Sequence, residues 1–149
     1  MDINILRVEP GSALAVRLLA FVEESSWDEV KAHTTRLLRE YPFPGWEAMF
    51  AALDRDRIVG HATFLKEDYY PLPEIYPWIS TLFVTEEYRG KGICGLLIEA
   101  VNRYAKVQGF TRTYIPSSFT GLYERYGYRR VRDIINYGGD TDHLYVKDI

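Results

Sequence analysis

Apolar and polar positions alternate at the start of the chain, in Ile3-Asn4-Ile5-Leu6-Arg7-Val8, and Pro10-Gly11 closes the run. That pattern predicts an edge strand. From Ser12 to Glu24 the spacing changes to threes and fours. Leu14, Leu18, Leu19 and Val22 then share one stripe of a helix. Ser26 followed by Glu29 has the form of a capping box, which predicts a second helix running to Tyr41, where Pro42 and Pro44 stop it. Trp46–Asp54 and Ile58–Leu65 read as two strands of a hairpin around the polar turn Arg55-Asp56-Arg57. A loop rich in proline and tyrosine, Lys66–Pro77, leads into a third strand, Trp78–Thr85.

The best-defined element follows. Ile93, Leu96, Leu97, Ala100, Val101 and Tyr104 place one apolar face on a helix over Ile93–Gln108, with Gly109 as its terminator. A strand over Thr111–Ile115, a short helix over Thr120–Tyr126 ended by Gly127, and two strands over Tyr128–Tyr137 and Leu144–Lys147 complete the chain. The predicted order is β-αα-βββ-α-β-α-ββ. This is an α/β (α+β) fold, a mixed and mostly antiparallel sheet of six or seven strands flanked by about four helices. No linker or repeat divides the 149 residues, so residues 1–149 read as a single domain.

Charge narrows the partners. A net charge of −3 disfavours nucleic acid, which asks for a basic face. Basic residues cluster only locally, around Arg89–Lys91 and Arg125–Arg132, which suits a small phosphate ligand. Cys94 is the single cysteine, so no internal disulfide can form, in keeping with a reducing compartment. No apolar run approaches the roughly 20 residues that span a bilayer, and Met1-Asp2-Ile3-Asn4 has no signal-peptide character. The expected location is the cytoplasm, with no membrane partner.

The sharpest local feature is Tyr88-Arg89-Gly90-Lys91-Gly92-Ile93-Cys94-Gly95, set between a strand and the start of the best helix. The first N–H groups of a helix lack internal acceptors and point outward, and the helix dipole stands behind them. Glycines let a phosphate approach the backbone, and Arg89 and Lys91 add charge, so a pyrophosphate is the natural guest. Gly90, Gly92 and Gly95 also satisfy the dinucleotide fingerprint G-x-G-x-x-G. That reading fails, because Thr85–Arg89 separates strand from glycine and the next strand ends in Pro116-Ser117-Ser118 where an acidic residue is required. A Walker A loop would need Gly-Lys-Ser/Thr. The alternative is a glycine turn that only links strand to helix.

Two stretches carry a family resemblance. Thr81–Ile93 resembles motif A of the GNAT superfamily of N-acetyltransferases, with Arg89, Gly92 and Cys94 on the defined positions of Q/R-x-x-G-x-G/A. Cys94 departs mildly from Gly/Ala. Leu122-Tyr123-Glu124-Arg125-Tyr126-Gly127-Tyr128 resembles the downstream motif Y-E-K-x-G-F/Y. The matches cover Trp78 to Val131.

The resemblance implies an acetyl-CoA-dependent enzyme in which a substrate amine attacks the thioester directly, within a ternary complex. It implies a bulge beside the strand Trp78–Thr85 and pairing of the pantetheine arm with the backbone at Leu82, Phe83 and Val84. The pyrophosphate then sits on N–H groups of Arg89, Gly90, Lys91, Gly92, Ile93, Cys94 and Gly95. Tyr123 falls on the position of the thiol-facing general acid. Glu74 is the candidate base, with Asp68 and Glu67 in the same loop.

Tyr69, Tyr70, Tyr76 and Trp78 read equally as an acceptor wall or as packing beneath the loop. Cys94, at a helix start beside two cations, reads as a thiol of lowered pKa or as a small residue filling a tight turn. His33, His61 and His143 have no metal-ligand spacing, so no metal is expected and their roles read as structural. No G-x-S-x-G elbow occurs. A non-catalytic acyl-CoA-binding domain of the same fold and a structural dimer module built on the final strands are the alternatives. In this family a further C-terminal strand often pairs two copies, so a homodimer fits the resemblance.

Overall fold

The computed structural model describes residues 1–149, apart from the side chains of residues 28–30. In chain order the elements are β1 (Ile3–Val8), α1 (Ala13–Glu23), α2 (Asp28–Glu40), β2 (Ala48–Asp54), β3 (Arg57–Leu65), β4 (Trp78–Val84), α3 (Ile93–Val107), β5 (Arg112–Ser117), β6 (Arg129–Ile135) and β7 (Thr141–Asp148). Short 3-10 turns occupy Glu86–Tyr88 and Tyr123–Tyr126. The seven strands follow the order β1-β2-β3-β4-β5-β7-β6. Two compact units divide the chain, one of Met1–Thr63 with Thr81–Leu97, the other of Phe64–Ser80 with Ile98–Ile149.

In the first unit β1 pairs antiparallel with β2, from Ile3 opposite Asp54 to Val8 opposite Met49. The hairpin to β3 turns at Arg55-Asp56, with Arg55 at a φ of 55°. Strands β2 and β3 bury almost every residue. Such continuous burial requires cover on both faces of a strand, which explains the small residues Ala51, Ala52 and Ala62. Helix α1 supplies part of that cover through Leu18 and Val22 and is capped by Ser12, whose hydroxyl accepts from the Ala15 N–H at 3.1 Å.

In the second unit β5 pairs antiparallel with β7, and β7 with β6 across a register shift between Arg130 and Arg132. Strands β4 and β5 run parallel and meet at Trp78 and Tyr114. Ile75, Trp78, Ile134 and Leu144 form one buried cluster. Asn102, Thr113 and Tyr128 form a buried ring of hydrogen bonds. Thr113 Oγ1 donates to Asn102 Oδ1 at 2.7 Å, and Asn102 Nδ2 donates to the Tyr128 hydroxyl at 3.0 Å. The same hydroxyl lies 2.7 Å from Thr113 Oγ1. Buried polar groups that satisfy one another fix an arrangement that apolar contacts alone leave looser.

Two expectations are corrected. Three α-helices form rather than about four, because Thr120–Tyr126 yields only the 3-10 turn Tyr123–Tyr126. Gly121 and Gly127 both take positive φ, 85° and 89°, and the segment between them is too short to nucleate an α-helix. Ser26 does not cap α2, since Trp27 holds the cap position without a side-chain bond. Glu29, the other half of that expected box, lies outside the described side chains.

Candidate active site

The phosphate-loop candidate is built where β4 ends. After Val84 the chain makes the 3-10 turn Glu86–Tyr88, then places Gly90 at a φ of 74° and Gly92 at 81° before α3 begins. Only glycine takes that region readily. A Cβ on either would meet nothing within 4 Å, so conformation and not crowding selects glycine there. The Leu96 N–H bonds the Gly92 carbonyl at 3.2 Å and opens the helical ladder. The N–H groups of Ile93, Cys94 and Gly95 therefore precede any intrahelical acceptor. No acidic residue stands in the first turn of α3 to compete for the dipole.

The cations of the loop are held in place. Arg89 Nε donates to the Val84 carbonyl at 2.9 Å, and the guanidinium lies 5.5 Å from the Phe83 ring centroid. Lys91 Nζ lies 5.3 Å from the Tyr88 ring, and Arg57 reaches that ring at 5.4 Å. Arg57 also pairs with Glu87 at 3.0 Å. For Cys94 the structure favours the small residue in a tight turn over the thiol of lowered pKa. Burial pushes its thiol up to about 11, so desolvation outweighs the helix start and the nearby cations.

Strand β4 is irregular where the resemblance calls for a bulge. Thr81 has a φ of 51°, and its hydroxyl lies 3.0 Å from that of Thr63. Leu82 and Val84 are half-buried, while Phe83 is buried beside Trp27 and His61. His61 is neutral, since burial lowers its pKa to about 4. The first unit thus brings Leu82–Val84 and Arg89–Gly95 together. It also holds a cavity of about 620 Å³, lined among others by Arg17, Phe21, Glu24 and Thr85.

The second unit holds the remaining candidates. Tyr123 opens its 3-10 turn, is 6% exposed, and lies 5.7 Å from Tyr145 ring to ring. Glu74 is exposed. Asp68 accepts from Ser80 Oγ and from the Tyr69 N–H. The Tyr70 hydroxyl donates to Asp142 at 2.6 Å while its ring stacks on Trp78. Burial and Asp142 raise the Tyr70 phenol well above its ordinary range.

Tyr69 and Tyr76 are exposed, but Trp78 is only 1% exposed and supports the loop from the core. Tyr137, edge-on to Tyr69 at 5.6 Å, and Asp142 escaped the sequence reading. Both lie about seventy residues downstream of their partners, and no local pattern joins them. Among the described residues no group of three or more His, Cys, Asp or Glu could hold a metal.

A glycine-rich loop opening a helix at the end of an irregular central strand suits the class of transferases that use a phosphate-bearing acyl-CoA. The model of the acetyltransferase (GNAT) family matches residues 17–128, and the chain belongs to that family. N-alpha-acetyltransferase 30 of Schizosaccharomyces pombe is 30% identical over 96 residues, covering 61% of this chain and 63% of the relative. The chain therefore spans under two thirds of the length of that curated relative.

Solved structures share the fold. Polyamine N-acetyltransferase of Drosophila melanogaster aligns with a TM-score of 0.74 at 17% identity, covering 99% of this chain and 100% of the other. A GNAT family acetyltransferase of Elizabethkingia anophelis with acetyl-CoA bound aligns at 0.64 and 18% identity, covering 99% of each.

Proposed function

We propose that residues 1–149 act as one N-acetyltransferase domain that moves an acetyl group from acetyl-CoA to a primary amine of a small molecule or protein. The observation that carries this reading is the loop Arg89–Gly95 opening α3, in a chain of the GNAT family. Loop N–H groups with Arg89 and Lys91 hold the pyrophosphate, and the backbone of Leu82–Val84 pairs with the pantetheine arm.

The amine attacks the thioester carbonyl carbon within a ternary complex. The new C–N bond forms as the C–S bond breaks. Positioning and polarisation of the carbonyl supply most of the acceleration. Glu74 takes the proton that the ammonium must lose before attack. Tyr123 gives its phenolic proton to the departing thiolate, and the surplus proton on the acylated nitrogen restores the phenol.

Amine acceptors accord with two relatives, an N-alpha-acetyltransferase and a polyamine N-acetyltransferase. Tyr69, Tyr70 and Tyr76 form the acceptor wall in this reading, with Trp78 beneath them. The protein works in the cytoplasm without nucleic-acid or membrane partners, and no described helix is long and apolar enough to cross a membrane. Pairing of two copies uses β6, the last strand of the sheet order, where Val131 and Ile135 are exposed.

Isothermal titration with acetyl-CoA, with NADH as control, tests the loop. A thiol-release assay over a panel holding a polyamine and a peptide with a free N-terminus tests the acceptor. Selective acetyl-CoA binding with amine-dependent thiol release is the expected result. Binding of NADH alone would overturn it.

A further inference from the structure

Thr81 is a β-branched residue at positive φ in the middle of a strand. Such a conformation is an outlier and persists only where neighbours over-determine it. Two side chains of β3 bear on this stretch. Thr63 Oγ1 lies 3.0 Å from Thr81 Oγ1, and the His61 ring packs on the strand just beyond it. Neither can move freely, since Thr63 is 1% exposed and His61 3%. The His61 ring is also stacked on Phe83 at 5.6 Å and met edge-on by Phe21 at 6.1 Å.

Beyond Thr81 the strand is anchored again. The Thr85 N–H donates to the Val59 carbonyl at 2.8 Å. Gly60 admits the Phe83 carbonyl so closely that a Cβ there would stand 2.6 Å from its oxygen. The segment Leu82–Val84 is thus pinned at both ends by β3, and the positive φ at Thr81 re-aims the backbone groups that follow it.

We infer that His61 and Thr63 are positioning residues, Thr63 holding the positive-φ backbone at Thr81 and His61 the ring of Phe83, which together aim the Leu82–Val84 backbone at the pantetheine arm of acetyl-CoA. The inference rests on the acetyl-CoA reading above. Neither residue touches the reacting atoms in this account. Their effect passes through one backbone conformation, which glycine would adopt unaided.

The test titrates acetyl-CoA into the wild type, Thr63→Val, Thr81→Gly and the double variant, and follows each by thermal melting. Thr63→Val should weaken acetyl-CoA binding about five-fold, the scale of one lost hydrogen bond. Thr63→Ser keeps the hydroxyl and should bind as the wild type does. In the Thr81→Gly background the Thr63→Val change should cost less than about two-fold, because glycine takes that φ without help.

A merely structural Thr63 would lower the melting temperature equally in both backgrounds and show no such coupling in affinity. Equal affinity losses in both backgrounds, or none in either, with a wild type that binds, overturn the inference alone. A wild type that does not bind acetyl-CoA overturns the underlying reading and the inference with it.

Discussion

The Tyr88 hydroxyl donates a 2.7 Å hydrogen bond to the Asp54 carboxylate and so latches the glycine loop to the β2–β3 hairpin. The other Asp54 oxygen accepts from the Asp2 N–H at 2.9 Å. These two bonds, the Asp2 bond foremost, hold the Asp54 carboxyl below its usual range, and the Asp54 bond raises the Tyr88 phenol. Tyr88→Phe keeps the ring under Lys91 and Arg57 and deletes only the latch. Acetyl-CoA affinity should fall about three- to ten-fold, with kcat at saturation nearly unchanged. Titration beside saturation kinetics checks this, and a fall in kcat at constant affinity would place Tyr88 elsewhere in the mechanism.

What could be read without coordinates follows from how local each feature is. Gly90 and Gly92 are legible because their backbone conformation is one that glycine alone takes easily, and α3 because its apolar stripe repeats along one face. Thr81 is the opposite case. A β-branched residue is the last that residue type nominates for positive φ, and the contact that holds it comes from Thr63, 18 residues upstream. Tyr70 and Asp142 meet across a sequence separation of 72 residues. The chemistry of Cys94 stays open between two readings in the sequence because neighbouring charges are visible there, whereas its burial, beside the buried Ile93, is a property of packing.

Tyr123 is poised to test the proton transfer. Its ring packs on Tyr145, so Tyr123→Phe preserves the packing surface and removes only the hydroxyl. With Tyr123 as general acid, kcat should fall about 10²- to 10³-fold while acetyl-CoA affinity holds. Thiol release under saturating co-substrate, beside titration of the same protein, decides it. Near-normal turnover would remove Tyr123 as the acid.

Cys94 should be a sluggish nucleophile despite its place at a helix start. With the thiol near 11, the thiolate is scarce at pH 8. Alkylation by iodoacetamide should run about a hundred-fold slower than for a free cysteine and rise about ten-fold per pH unit toward 11. Mass spectrometry of timed samples reads both rates. Acetyl-CoA bound on the Arg89–Gly95 backbone should slow labelling further. Equal labelling with and without it would count against a contact at Cys94.

His61 gives the fold a dependence on pH whose sign is fixed by its burial. In the folded protein its pKa is about 4, below the 6.5 of a free imidazole. Between those values the unfolded chain binds a proton that the folded chain refuses. Stability is therefore complete above pH 6.5, declines as pH falls through the window, and has lost the whole contribution below about 4. The full loss is roughly 3 kcal/mol, a large share of a small domain's stability. The groups packed on the ring, Phe21 and Phe83, carry no charge that could offset it. His61→Gln should flatten the profile between pH 6.5 and 4. Urea unfolding of both proteins at several pH values within that window measures the slope directly. The same slope in the variant would assign the pH dependence to another group.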